Sequence, residues 1–261
     1  GDSSVYTITS GDGGGIFNIN RDTGVLSLKQ SVQGKQTQYS LTVRATDTGR
    51  NPKFDEVRVV VNIEDINDNR PVFTVCPDEV TVEENKPRGE RVTQVTAVDK
   101  DRGRNGEVEY KLVTGGVRLF EINNSTGLIT TITSLDRESA DRHTLIVQAE
   151  DGGHGRNEAE RLLSYCIIEV KVADVNDNYP VFFTRQYYGS VFQGAPISTT
   201  VLTVSATDDD VGSNQVVVYS LVGSSDKFKV DGATGNIITI ADLANFQQTV
   251  QLKIRASNQA T

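Results

Sequence analysis

The sequence predicts an all-β chain of sandwiches in series. Three observations carry this. Apolar and polar residues alternate at period two, Gly follows Asn, Asp or Ser clusters between the runs, and one pattern occurs three times at a spacing of roughly 105 residues. No segment has a convincing 3.6-residue period. A chain of 261 residues suits two to three sandwich units, since immunoglobulin-like sandwiches run to about 100 residues each.

The repeat opens with Phe17-x-Ile19, Phe120-x-Ile122 and Phe228-x-Val230, each followed six residues after the Phe by Thr23-Gly24, Thr126-Gly127 or Thr234-Gly235. It continues with Leu41-x-Val43-x-Ala45-x-Asp47, Leu145-x-Val147-x-Ala149-x-Asp151 and Leu252-x-Ile254-x-Ala256-x-Asn258, strands with one buried face. Val5 matches Val108, so the first unit is expected to lack some twenty residues holding its first two strands. The third is expected to lack its last strand, and the missing pieces are expected in a longer parent chain. In the second unit Val80-Thr81-Val82 leads into Glu83-Glu84-Asn85, a turn at Pro87 and Gly89 follows, and a strand from Val92 to Val98 delivers Asp99 and Asp101. The final strand runs from about Leu163 to Val172. Gly13-Gly14-Gly15 reads as a turn.

Between the units lie Asp65-Ile66-Asn67-Asp68-Asn69-Arg70-Pro71-Val72-Phe73 and, 109 residues later, Asp174-Val175-Asn176-Asp177-Asn178-Tyr179-Pro180-Val181-Phe182. Four side-chain oxygen donors in five residues do not belong in a core, and the Pro two positions on forbids a helix. Carboxylates and amides so close, with no Lys or Arg among those five, repel one another unless a hard cation joins them. Calcium takes six to eight such oxygens. A polar loop is the plain alternative for one such run, and its duplication argues against it.

Asp-x-Asn-Asp-Asn-x-Pro-x-Phe resembles the linker between repeats of the cadherin superfamily, and the resemblance extends over essentially the whole chain. It implies tandem Greek-key, immunoglobulin-like, seven-stranded sandwiches: residues 1–69 (N-terminal strands missing), 70–178 (complete) and 179–261 (last strand missing). It also implies a calcium cluster at each linker. At the second linker the matching residues are Glu84, Asp136, Glu138, Asp174, Asp177 and the Val175 carbonyl from above. Asn176 and Asn178 reach down, and Asp208, Asp210 and the Asn214 carbonyl come up from the third repeat. Asn258 stands where an Asp is expected. That supply implies three calcium ions.

The first linker is poorer. Asn67, Asn69, Asp99, Asp101, Asn105 and Asp151 resemble the ligands nearest the lower repeat, but the family's Asp-Arg-Glu is replaced around Val32-Gln33-Gly34-Lys35. About one ion and a bent or flexible joint are expected there. In the third repeat Gln193 falls where Glu84 falls, and Leu243-Ala244-Asn245 replaces Asp-Arg-Glu, so little or no calcium is expected below it.

If Glu84 and Asp174 meet at one cluster and their strands run toward it in parallel, Cys76 and Cys166 sit at one height, each eight residues before its acid. Adjacent strands lie about 4.8 Å apart, within disulfide range. A Cys76–Cys166 bridge is expected, with two separate buried thiols as the alternative. A bridge belongs to an oxidising compartment. Asn123 and Asn124 begin overlapping glycosylation sequons, of which one can carry a glycan; otherwise Asn simply suits the turn.

Asp plus Glu outnumber Lys plus Arg by 35 to 26, which argues against nucleic-acid or anionic-membrane partners. No run approaches the roughly 20 apolar residues of a membrane span. The EF-hand reading of Asp99-x-Asp101 or Asp208-x-Asp210 fails, because Arg104 and Ser213 stand where Gly is needed and Tyr110 and Tyr219 where Glu is needed. Neither His143 nor His154 sits in a nucleophile or zinc motif, so no enzyme and no small-molecule substrate is expected; Asp136 and Glu138 suit a metal better than a glycosidase. The resemblance implies calcium-dependent adhesion between cells, with other cadherin ectodomains as partners, homophilically. It places the chain in the extracellular part of a single-pass plasma-membrane protein. The competing reading is a structural or signalling spacer with low-calcium joints. With no Trp, a strand swap anchored by Trp is excluded, which favours internal repeats of a long ectodomain.

Overall fold

The computed structural model describes residues 3–12, 14–114, 118–152 and 161–258. Gly13 of the expected glycine turn and His154 lie outside them. Regular structure among the described residues is nearly all strand, and the chain resolves into two compact units. One comprises the residues up to Asn69 together with Lys100–Glu107; the other comprises Arg70–Asp99, Val108–Gly152 and the chain from Leu162 onward.

The first unit holds β1 (Ser4–Ser10), β2 (Phe17–Ile19), β3 (Leu26–Leu28), β4 (Gln38–Asp47) and β5 (Phe54–Asn62). β4 is the centre of an antiparallel sheet β1-β4-β5, and β2 pairs with β3. Alternation along β4 sends Tyr39, Leu41 and Val43 inward, and Tyr39 meets Phe17 edge-on with ring centroids 5.0 Å apart. Gly103–Gly106 forms a single 3-10 turn.

The second unit begins with β6 (Val72–Val75), β7 (Glu79–Glu83), β8 (Arg91–Gln94), β9 (Thr96–Val98), β10 (Val108–Thr114), β11 (Phe120–Ile122), β12 (Leu128–Thr131), β13 (Arg142–Asp151) and β14 (Leu163–Ala173). Sheets β10-β13-β14-β7 and β11-β12-β8 contribute to one core that includes Phe120, Ile129, Leu145, Val147, Ile168 and Val170. The unit continues with β15 (Val181–Phe182), β16 (Thr200–Thr203), β17 (Ala206–Thr207), β18 (Val217–Leu221), β19 (Phe228–Val230), β20 (Asn236–Thr239) and β21 (Ile254–Asn258), around a separate core of Phe228, Ile237 and Leu243.

Four sequence expectations need adjustment. The strand expected over Val92–Val98 is two strands, because the chain changes partner at buried Val95: β8 pairs with β12 and β9 with β6. Leu252 lies outside β21, which starts at Ile254. The match of Val5 to Val108 is one residue out. Tyr6, Tyr110 and Tyr219 pair with Ala45, Ala149 and Ala256, so Ser4 stands at the place of Val108. Leu243 is buried as Leu135 is, so Ala244-Asn245-Phe246, rather than Leu243-Ala244-Asn245, stands where Asp136-Arg137-Glu138 stands.

The Thr-Gly turns are built alike. Asn20, Asn123 and Asp231 each accept two backbone N–H bonds through Oδ1, from Asp22 and Thr23, from Ser125 and Thr126, and from Ala233 and Thr234. Gly127 closes its turn at φ +68°, and a Cβ there would lie 2.3 Å from the Val95 carbonyl oxygen, so only glycine fits.

β7 runs parallel to β14 from Glu79 opposite Glu169 to Glu83 opposite Ala173. Carried back three residues, that register sets Cys76 opposite Cys166, and the two are joined, S–S 2.01 Å and Cα–Cα 5.9 Å.

Candidate metal centre

The parallel pairing of β7 and β14 carries both strands to one end of their sheet, where the first delivers Glu84 and the second Asp174. Glu84 is only 1 % exposed, and it bonds both sides of the site. Its Oε1 accepts the Val175 N–H at 2.8 Å, and its Oε2 accepts the Arg137 N–H at 2.8 Å. A buried carboxylate held by two amides fixes the linker's first residues against the turn at 135–138.

Carboxylate oxygens of Glu84, Glu138 and Asp177 lie within 4.8 Å of one another, and so do those of Glu138, Asp174 and Asp210. Glu138 belongs to both groups. Like charges this close cost on the order of 1 kcal/mol per pair in water and more when partly desolvated. At Glu138 burial pushes the carboxyl above the usual range, and the charges of Glu84 and Asp177 push the same way, against a backbone hydrogen bond and Arg137. Asp210 comes up from the short segment after β17. Its Oδ1 accepts the Asn178 amide at 2.7 Å, while its Oδ2, on a residue 2 % exposed, is buried without a hydrogen-bond partner. An all-oxygen cluster with a buried carboxylate oxygen left over fits a hard divalent cation such as calcium.

The remaining residues named from the sequence at this linker belong to neither trio. Asp136 lies in neither acidic group; its Oδ2 takes the Ser139 hydroxyl, which draws its carboxyl below the usual range. Asp208 accepts the Asp210 N–H and the Asn258 amide, and Asn258 also donates to the Asn214 carbonyl. Asn214 donates its own amide to Asp174 Oδ2 at 2.8 Å. Val175 is held through its N–H, and Asn176 is exposed. Two residues that the sequence did not mark as part of the cluster reach it. Asn85 donates to Asp177 Oδ2 at 2.5 Å, from a left-handed backbone at φ 60°. Arg137 bonds Asp174 Oδ1 at 2.5 Å and the Asp209 carbonyl at 2.7 Å, and it pairs with Glu138.

The same local geometry recurs in the first unit. Asp101 accepts the N–H groups of Asp68 and Asn69 and the Asn69 amide, and these bonds outweigh burial to hold its carboxyl low. Asp65 accepts from the Arg102 N–H and the Asn105 amide, as Asp174 accepts from Val211 and Asn214. Where Asp136-Arg137-Glu138 would stand, Gln33 donates to Asp68 and the Lys35 carbonyl accepts from Arg102. Asn67 belongs to this first unit. Asp99 and Asp151 belong to the second, where Asp151 is fully buried and its Oδ2 accepts the Leu162 N–H. Among the described residues both close acidic trios lie at the second linker. In the third repeat Gln193 donates to the Phe246 carbonyl. Asn123 and Asn124 are both exposed. His143 packs against Phe120, and burial holds its pKa below the ordinary value, with Asp141 opposing.

The Cadherin domain family matches residues 2–64, 78–173 and 187–261. The chain belongs to the cadherin family. It is 34 % identical over 258 residues to human protocadherin Fat 4, covering 97 % of this chain and 5 % of that protein. To the protocadherin-like wing polarity protein stan of Drosophila melanogaster it is 37 % identical over 250 residues, covering 92 % and 7 %. Three successive repeats of mouse cadherin-23, EC22-24, superpose at a TM-score of 0.79 with 33 % identity, covering 98 % of this chain and 81 % of that one. The chain spans only 5 % and 7 % of the length of the Fat 4 and stan relatives. No helix among the described residues is long and apolar enough to cross a membrane.

Proposed function

We propose that the chain is a segment of a cadherin ectodomain whose second linker is stiffened by calcium. It would serve adhesion between cells through contacts with other cadherin ectodomains, homophilically, as the extracellular part of a plasma-membrane protein spanning the bilayer once. Its repeats are read as residues 1–69, 70–178 and 179–261. The observation that carries the reading is the buried, unpartnered Oδ2 of Asp210 beside Glu138 and Asp174. Glu84, Glu138, Asp174, Asp177 and Asp210 would hold the metal, with Asp136, the Val175 and Asn214 carbonyls, Asn176, Asn178, Asp208 and Asn258 completing a three-ion set. At the first linker Asn67, Asn69, Asp99, Asp101, Asn105 and Asp151 would hold about one ion. A glycan on Asn123 or Asn124 fits their exposure. Bound calcium supplies positive charge that turns mutual repulsion of the acids into attraction. The chain's own part is to hold those acids in place, through the two amides on Glu84 and through Asn178 on Asp210. Extracellular calcium modules bind at roughly 0.1 to 1 mM, so the linker is loaded outside cells and empty within. No catalytic role is assigned.

The spacer reading draws on Gln33-Gly34-Lys35 and on Ala244-Asn245-Phe246, which leave two of the three repeats without the Asp-Arg-Glu acids. Calorimetric titration of the full chain with calcium chloride, paired with small-angle scattering in calcium and in chelator, tests the proposal. Binding near millimolar with a calcium-dependent change in scattering supports it. Absence of binding at 10 times that concentration defeats it.

A further inference from the structure

The Arg137 guanidinium lies inside the acidic cluster, bonded to Asp174 and to the Asp209 carbonyl and paired with Glu138. Its side chain is 12 % exposed and that of Asp174 11 %. Glu138 and Asp174 are two of the three acids in one metal-competent group, and Glu138 is the acid shared with the other. A guanidinium bonded to those two carboxylates and a divalent cation bonded to them make the same electrostatic use of the same oxygens. They cannot both make full use of them. The other two repeats have no arginine at this place: Gly34 and Asn245 stand there, beside Lys35 and Phe246 at the place of Glu138.

We infer that Arg137 is an internal counter-ion that competes with calcium for Glu138 and Asp174. When the metal is withdrawn, Arg137 neutralises the linker acids and ties the turn at 135–138 to Asp174 and to the segment carrying Asp209. When calcium arrives, the guanidinium gives up Glu138 and Asp174, while its backbone N–H keeps its bond to Glu84 Oε2. Arg137 thus raises the calcium concentration at which the linker loads, and it keeps the unloaded linker from being driven apart by its own charge. This inference rests on the calcium reading of the cluster.

The test compares the full chain with Arg137→Gln and Arg137→Lys in two measurements. Titration with calcium chloride should show Arg137→Gln binding roughly fivefold more tightly than the parent, because a partly buried ion pair no longer has to be displaced. Thermal unfolding in chelator should show Arg137→Gln melting below the parent. Arg137→Lys should fall between, since a point charge cannot reach Asp174, Glu138 and the Asp209 carbonyl together. Weaker calcium binding by Arg137→Gln, or unchanged melting in chelator, overturns the inference. A parent chain that takes up no calcium overturns the metal reading and with it the competition. The chelator melts then report separately whether Arg137 still holds the acids.

Discussion

Replacing Glu84 by Gln tests the join between the second repeat and its linker most directly. The carboxylate is 1 % exposed and accepts two N–H bonds at 2.8 Å, from Val175 and Arg137. Each bond to a buried charged acceptor contributes about 1.5–3 kcal/mol. The amide keeps one acceptor oxygen, now neutral, and sets an NH2 against the other backbone N–H, so one bond is lost outright and the second weakened. Relief of repulsion from Glu138 and Asp177 offsets part of the loss. The expected net cost is about 2–4 kcal/mol, read from urea unfolding in chelator, with Glu121→Gln, at the exposed position of β11, as a control near zero. Calcium titration should show binding weakened at least tenfold, about 1.4 kcal/mol, since the substitution removes an acid from the Glu84, Glu138 and Asp177 group. If Glu84→Gln unfolds with the parent in chelator and binds calcium equally well, the clamp reasoning is wrong.

Replacing Cys76 and Cys166 together by Ser opens a covalent loop with a sequence separation of 90. The chain-entropy cost is about 4–5 kcal/mol, so a guanidinium unfolding midpoint that barely moves would contradict it. His143 has its folded pKa held below the ordinary value of about 6.5 by burial. The unfolded chain then binds the proton first on acidification. The stability from the neutral ring is full above about pH 6.5 and is lost as pH falls toward the folded pKa. Unfolding at pH 7.5 and 5.5 should show a smaller acid loss for His143→Gln than for the parent, and equal losses would refute the assignment.

The fold was largely legible because its signals are local and repeated. Phe120-x-Ile122 and Thr126-Gly127 are a hairpin whose turn residues act within six positions, and the cysteine spacing already contained the parallel register of β7 and β14. The alternation over Val92–Val98 hid a change of sheet, since a buried valine looks the same in either partner's ladder. Matching Val5 with Val108 followed residue type, whereas the pairing of Tyr6 with Ala45 sets the register. At the site, the oxygen-rich linker and its distant acids were readable by type. Which of them converge depends on side-chain direction: Glu138 and Asp210 point into the cluster while Asp136 turns to Ser139. Arg137 has no oxygen donor on its side chain to mark it as part of a metal site, and Asn85 carried no chemical signal beyond its oxygen and a tolerance for left-handed backbone.

The Cys76–Cys166 bond also matters under mechanical load. A tug entering near Pro71 and leaving at Asp174 is carried through the bridge, bypassing every residue enclosed by it. If the hydrogen bonds of that repeat give way, the enclosed stretch still cannot pay out, and a slack of roughly 300 Å stays locked. The middle repeat would therefore behave as a nearly inextensible link in any tether that includes it, and a reducing agent would lengthen its reach.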